Sequence, residues 1–118
     1  MAYQSFEELE VWKSACRLMV DVHSVFKNSK DYFMRDQILR SALSISSNIA
    51  EGSERGSDKD MTRFLHIAKG SAAELRTQLF LSAKMQLIQE DKITPLVQEC
   101  RIISAQLQNL IKFLQAKP

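Results

Sequence analysis

The 118-residue sequence is sized for one domain, with 45% apolar and 25% charged residues, ordinary values for a globular chain. Sixteen lysines and arginines nearly balance fourteen acids, for a net charge of +2, which argues against a dedicated nucleic-acid arm and against a polybasic membrane segment. Three glycines and two prolines allow few turns, so a handful of long elements is expected rather than many short strands.

Four amphipathic stretches follow in order. Ser5-Phe6-Glu7-Glu8 fits a capping box, and the first helix is expected over about residues 6–26. Leu9, Trp12, Ala15, Met19, Val22 and Phe26 repeat at helical spacing, widened by Leu18 and Val25. Trp12 reads as a core anchor. Lys27-Asn28-Ser29-Lys30 is a polar break, and Asp31 is a fitting cap for a second helix over about 32–51. Its apolar side is Met34, Ile38, Ala42, Ile45 and Ile49. Opposite run Gln37, Ser41, Ser44, Asn48 and Glu51. These short polar side chains are poor helix formers, and a solvated face more often carries lysine and glutamate. The stripe therefore predicts a closely packed seam.

Gly52 to Ser57, GSERGS, is expected to break the chain at both glycines. Ser57 then stands at an N-cap, with Asp58 and Asp60 at the positive end of the helix dipole. No proline follows until Pro95, so a third helix is expected over about 58–87, roughly 42 Å long. It carries two seams. Met61, Leu65, Ala68, Ala72, Leu75, Leu79 and Ser82 form a heptad-like stripe suited to a bundle core. On nearly the opposite side run Arg63, His66, Gly70, Ala73, Thr77, Phe80 and Lys84. Small residues at its middle would let another helix approach, so this side is expected to contact a second copy of the chain.

A fourth helix is expected over about 94–115, capped by Thr94 ahead of Pro95 or, a turn earlier, by Asp91. Its stripe is Leu96, Cys100, Ile103, Leu107, Leu110 and Leu114, with Ile111 beside it. Cys16 and Cys100 lie far apart without a CxxC spacing and read as small buried hydrophobes. No window is apolar enough to span a membrane, and MAYQSFEELE has no apolar signal core. The cytoplasm is the expected compartment. Four such helices joined by short polar breaks predict one all-α domain over 1–118, an antiparallel up-down-up-down four-helix bundle.

The residues also carry a family resemblance. Phe6, Leu9, Val11 and Trp12; Gln37, Arg40 and Ala42; Ser44-Ile45 with Asn48-Ile49-Ala50-Glu51-Gly52; and Phe64-Leu65, Ala68-Lys69-Gly70-Ser71, Glu74-Leu75 and Gln78-Leu79 resemble the bacterial four-helix bundle proteins encoded in intervening sequences of 23S ribosomal RNA genes. The likeness covers nearly the whole chain. Ser46 departs from it, standing where the family commonly has proline, and the loop after Phe26 lacks the usual proline; a straighter second helix is expected for that reason. The resemblance implies an up-and-down bundle and a ring-like homo-oligomer, a pentamer. It extends in shape to the accessory proteins of diversity-generating retroelements, which bind nucleic acid and a reverse transcriptase through a basic surface.

Catalytic patterns are missing from the sequence. There is no HExxH, P-loop or GxGxxG, and His23 and His66 fall on different predicted helices. Glu51, Glu54, Asp58 and Asp60 interleave with Arg55, Lys59 and Arg63, which reads as a solvated ion-pair cluster. No enzyme activity, metal, cofactor or small-molecule substrate is expected. Two functions stand. One is a self-assembling scaffold or adaptor for a protein partner. Its contact residues would be Arg63, His66, Gly70, Ala73, Thr77 and Phe80 with Ser41, Ser44, Asn48 and Glu51. The other is an RNA- or DNA-binding accessory factor. Arg55, Lys59 and Arg63 step by four and would be joined by Arg40, Lys69, Arg76 and Lys84, with a few such residues multiplied by ring symmetry.

Overall fold

The computed structural model describes residues 5–118; Met1–Gln4 of the N-terminal stretch lie outside them. Four helices account for nearly all of this chain: α1, Glu10–Phe26; α2, Tyr32–Glu54; α3, Asp58–Lys84; and α4, Glu90–Gln115. They pack as an antiparallel up-down-up-down bundle, a rod of 49 × 19 × 19 Å. Along the α2–α3 seam Ser41 meets Glu74 and Ser44 meets Ser71, so residue numbers rise on one helix as they fall on the other.

The core stripe of α3 is as the spacing predicts, with Met61, Leu65, Ala68, Ala72, Leu75, Leu79 and Ser82 all buried. The other stripes shift slightly. In α1 the buried set is Val11, Ala15, Leu18, Val22 and Phe26, one position round from the expected Trp12–Met19 line. In α4 Ile111 is buried and Leu110 is only partly so.

Every helix boundary has a local cause, and several correct the sequence reading. Phe6–Glu8 is a single 3₁₀ turn, and Leu9 is extended at ψ 125° before α1 begins at Glu10. Ser5 Oγ accepts from the Glu7 N–H at 3.2 Å, so the expected capping box becomes a cap on this separate turn. The turn folds Phe6 edge-on to Trp12, ring centroids 5.2 Å apart, closing that end of the core. Asp31 caps α2 as expected, accepting from the Met34 N–H at 3.1 Å.

Gly52 does not break the chain. It lies inside α2 and is buried, and a Cβ there would come within 2.7 Å of the Phe64 Cβ. The glycine permits a close helix approach, and the turn is made by Gly56 at φ 86°, where a side chain would be strained. Ser57 then caps α3, accepting from the Asp60 N–H at 3.1 Å.

α3 ends at Lys84, before the expected Leu87. The Leu87 N–H donates to the Ser82 carbonyl at 2.9 Å and the Gln86 N–H to the Ala83 carbonyl at 3.0 Å. This is a Schellman ending, with Gln86 at φ 61° in the position glycine normally fills. α4 begins at Glu90, ahead of both expected caps, and its N-cap residue Gln89 makes no side-chain capping bond. Pro95 therefore lies inside α4 and withholds the N–H that would serve the Asp91 carbonyl. Burial of Ile93, at 2% exposure, holds this early turn in place, and Glu90 and Asp91 favour it through the helix dipole.

Cys100 is buried in the core and Cys16 is partly buried; both are free. Burial pushes the Cys100 thiol up to about 12. Burial also raises Cys16, partly opposed by a hydrogen bond with Ser46.

Candidate interaction surfaces

The outward side of α3 takes its form from the same periodicity that built the core. Because the buried residues step by three and four, the residues half a turn away point out together. Arg63, His66, Gly70, Ala73, Thr77, Phe80 and Lys84 are all exposed. A Cβ built on Gly70 meets no atom within 4 Å, so this glycine is not required by the bundle itself, unlike Gly52. Phe80 is 44% and Leu81 43% exposed.

The serine stripe of α2 is a close-packed seam, as expected, but its partner is α3 of the same chain. Ser41, 3% exposed, donates to Glu74 Oε1 at 2.9 Å. Ser44 and Ser71 share a hydrogen bond of 2.8 Å. Asn48 Nδ2 donates to the Ser44 carbonyl at 2.8 Å and to its Oγ at 2.9 Å. Ser41, Ser44 and Asn48 are thereby engaged within one bundle. Short side chains bonded in this way satisfy their polar atoms without holding the helices apart. Glu51 is exposed and pairs with Arg55 at 2.9 Å.

The basic residues do not converge on one patch. At the Gly56 corner, the Arg55 and Arg63 guanidinium groups stand 5.0 and 4.5 Å from the Phe64 ring centre, a cation–π arrangement. Phe64 is itself buried. The sequence reading missed this cluster; its signal was the Arg55-x₈-Phe64 spacing across a glycine corner. Arg63 also lies 3.9 Å from Asp60. Lys59 and Lys84 are exposed on the outward side of α3. Lys69 turns toward α4, where Nζ donates to Gln108 Oε1 at 2.6 Å, and Arg76 acts on the Cys100 thiol of the same helix. Arg40 is exposed on α2.

Among the described residues no three histidine, cysteine or acidic side chains are grouped to hold a metal ion, and no helix is long and apolar enough to cross a membrane.

Compared with known proteins, residues 7–109 match the model of the 23S rRNA-intervening sequence protein family. The chain belongs to that family. A solved structure agrees: a protein of unknown function from the S23 ribosomal protein family of Bacteroides thetaiotaomicron superposes with a TM-score of 0.82 at 27% identity, covering 86% of this chain and 98% of that one. No curated protein shows significant similarity to the sequence. The family match covers α1 to α3 and most of α4, so the up-and-down bundle expected of an intervening-sequence protein is the fold found here. These matches give no separate support to the likeness with retroelement accessory proteins.

Proposed function

We propose that this intervening-sequence protein is a non-enzymatic, self-assembling scaffold or adaptor whose copies meet along the outward side of α3. The observation that carries the reading is a small-residue surface without a role inside the bundle. Gly70 and Ala73 are exposed, Gly70 has open space around it, and Phe80 stands beside them 44% exposed. Small residues allow close backbone approach, and an exposed aromatic supplies an anchor. The resemblance suggests five copies in a ring. Native mass spectrometry tests it: Gly70→Glu and Phe80→Asp should each move mass toward monomer while circular dichroism stays helical. An unchanged mass in both variants defeats the reading.

One observation favours a second reading, nucleic-acid binding. Lys59, Arg63 and Lys84 all point outward along α3, and repeated copies would multiply them into a basic ring whose binding weakens steeply with salt. The buried Phe64 offers no stacking platform, so the contacts would be to phosphates. A gel shift with single-stranded and structured RNA and DNA should show retardation at low salt that is lost in a Lys59→Glu/Arg63→Glu/Lys84→Glu variant. No retardation at low salt removes this reading.

A further inference from the structure

The seam between α1 and α4 is the lightest of the four helix contacts, and two clefts open along it. A cleft of about 200 Å³ is lined by Ser14 and Arg17 of α1 and by Glu99, Ile102 and Ile103 of α4. A second, of about 310 Å³, lies along Asp21, Lys92 and Glu99. Glu99 borders both. Its Oε2 is sealed from water and takes no hydrogen bond from the protein, and across the seam the exposed Asp21 of α1 lines the second cleft with it.

The charged groups around this carboxyl come from two helices. α1 presents Arg17 and Asp21, and α4 presents Lys92. Arg76 of α3 acts instead on the neighbouring Cys100 thiol. Arg17 also donates Nη2 to Ser14 Oγ at 3.1 Å, so it does not cap the sealed oxygen. Two carboxylates side by side repel, but one proton between them turns the repulsion into a hydrogen bond.

We propose that Asp21 and Glu99 form a proton-operated latch on the α1–α4 seam: one shared proton holds the two helices closed, and its loss loosens them without unfolding the α2–α3 half. Burial holds the Glu99 carboxyl up to about 7, helped by the hydrogen bond to Asp21 and by its charge, and opposed by Arg17. The direction of the effect follows. Folded Glu99 binds its proton more tightly than in the unfolded chain, where its ordinary value is 4.5. The proton's contribution is therefore complete below that value, declines as pH rises, and is lost above about 7.

Hydrogen exchange of the full chain, corrected for intrinsic rates, tests the latch at about pH 5.5 and about pH 8.5, on either side of the Glu99 transition. The α1 and α4 amides facing the seam should lose protection on the order of tenfold at the higher pH, while α2 and α3 amides at Ser41–Glu74 and Ser44–Ser71 keep theirs. Glu99→Gln should abolish the difference. Equal protection at both pH values in the unaltered protein overturns the latch, as does an undiminished difference in Glu99→Gln. Should that variant not fold, carbon-13 NMR of the unaltered chain decides. A Glu99 carboxyl that titrates near neutrality supports the latch, and one that titrates in the ordinary carboxylate range overturns it.

Discussion

The α2–α3 and α1–α4 seams close the same bundle by opposite means. α2 and α3 approach until Gly52 leaves no room for a methyl group, and their polar atoms pair across the seam, Ser44 with Ser71 at 2.8 Å and Ser41 with the Glu74 carboxylate at 2.9 Å. α1 and α4 bring longer side chains to the boundary, and the result is two clefts and a sealed carboxyl oxygen without a partner. A polar seam is thus tight when its groups pair across it, and looser when a long acid is left with an oxygen unpaired. Rigidity in this rod is set by how the polar groups pair at the seam as much as by hydrophobicity.

Volume added to each side should break the symmetry most sharply. Gly52→Val forces a branched side chain toward Phe64 Cβ and should cost about 3 kcal/mol of stability, read as a lower denaturation midpoint at unchanged m-value. A neutral result would mean that α2 and α3 can move apart, and the contrast would fail. Ser44→Ala removes the hydroxyl shared with Ser71 and Asn48 and should cost about 1 kcal/mol in the same measurement. Ser14→Leu points extra volume into the α1–α4 cleft; it should be tolerated or add about 0.5–1 kcal/mol, as cavity filling commonly does. A large loss there would show that the cleft is needed open, sharpening the distinction in another way.

Much of the bundle could be read from the residues. The α3 stripe from Met61 to Ser82 was legible because each step falls on the buried side of a long uninterrupted helix. The caps at Asp31 and Ser57 were legible because a short oxygen before a polar first turn has few other uses. Gly52 was not. A glycine that permits a turn and one that permits close approach look alike in a sequence, and only the Phe64 Cβ across the seam tells them apart. Pro95 misled by a different route: the buried Ile93 extends α4 back beyond the proline that seemed to open it.

The outward residues of α3 share one side by period alone, so their co-location was legible. What the α2 serine stripe packs against was not, because hydroxyls serve a contact within a chain as readily as one between chains. Asp21 and Glu99 gave no signal at all. Each sits on the polar side of its own helix, far apart in sequence, and only the antiparallel closure of α1 on α4 brings the two acids together.

The ending of α3 places its constraint on a single backbone torsion. Gln86 sits in the left-handed region, where an unbranched side chain is tolerated at some steric cost and a branched one is nearly shut out. Drift at this position should therefore run toward glycine or asparagine and away from valine, isoleucine and threonine, even though the residue is exposed to solvent and nothing about its polarity would forbid them. Handedness, more than chemistry, decides what the turn into the last helix will accept.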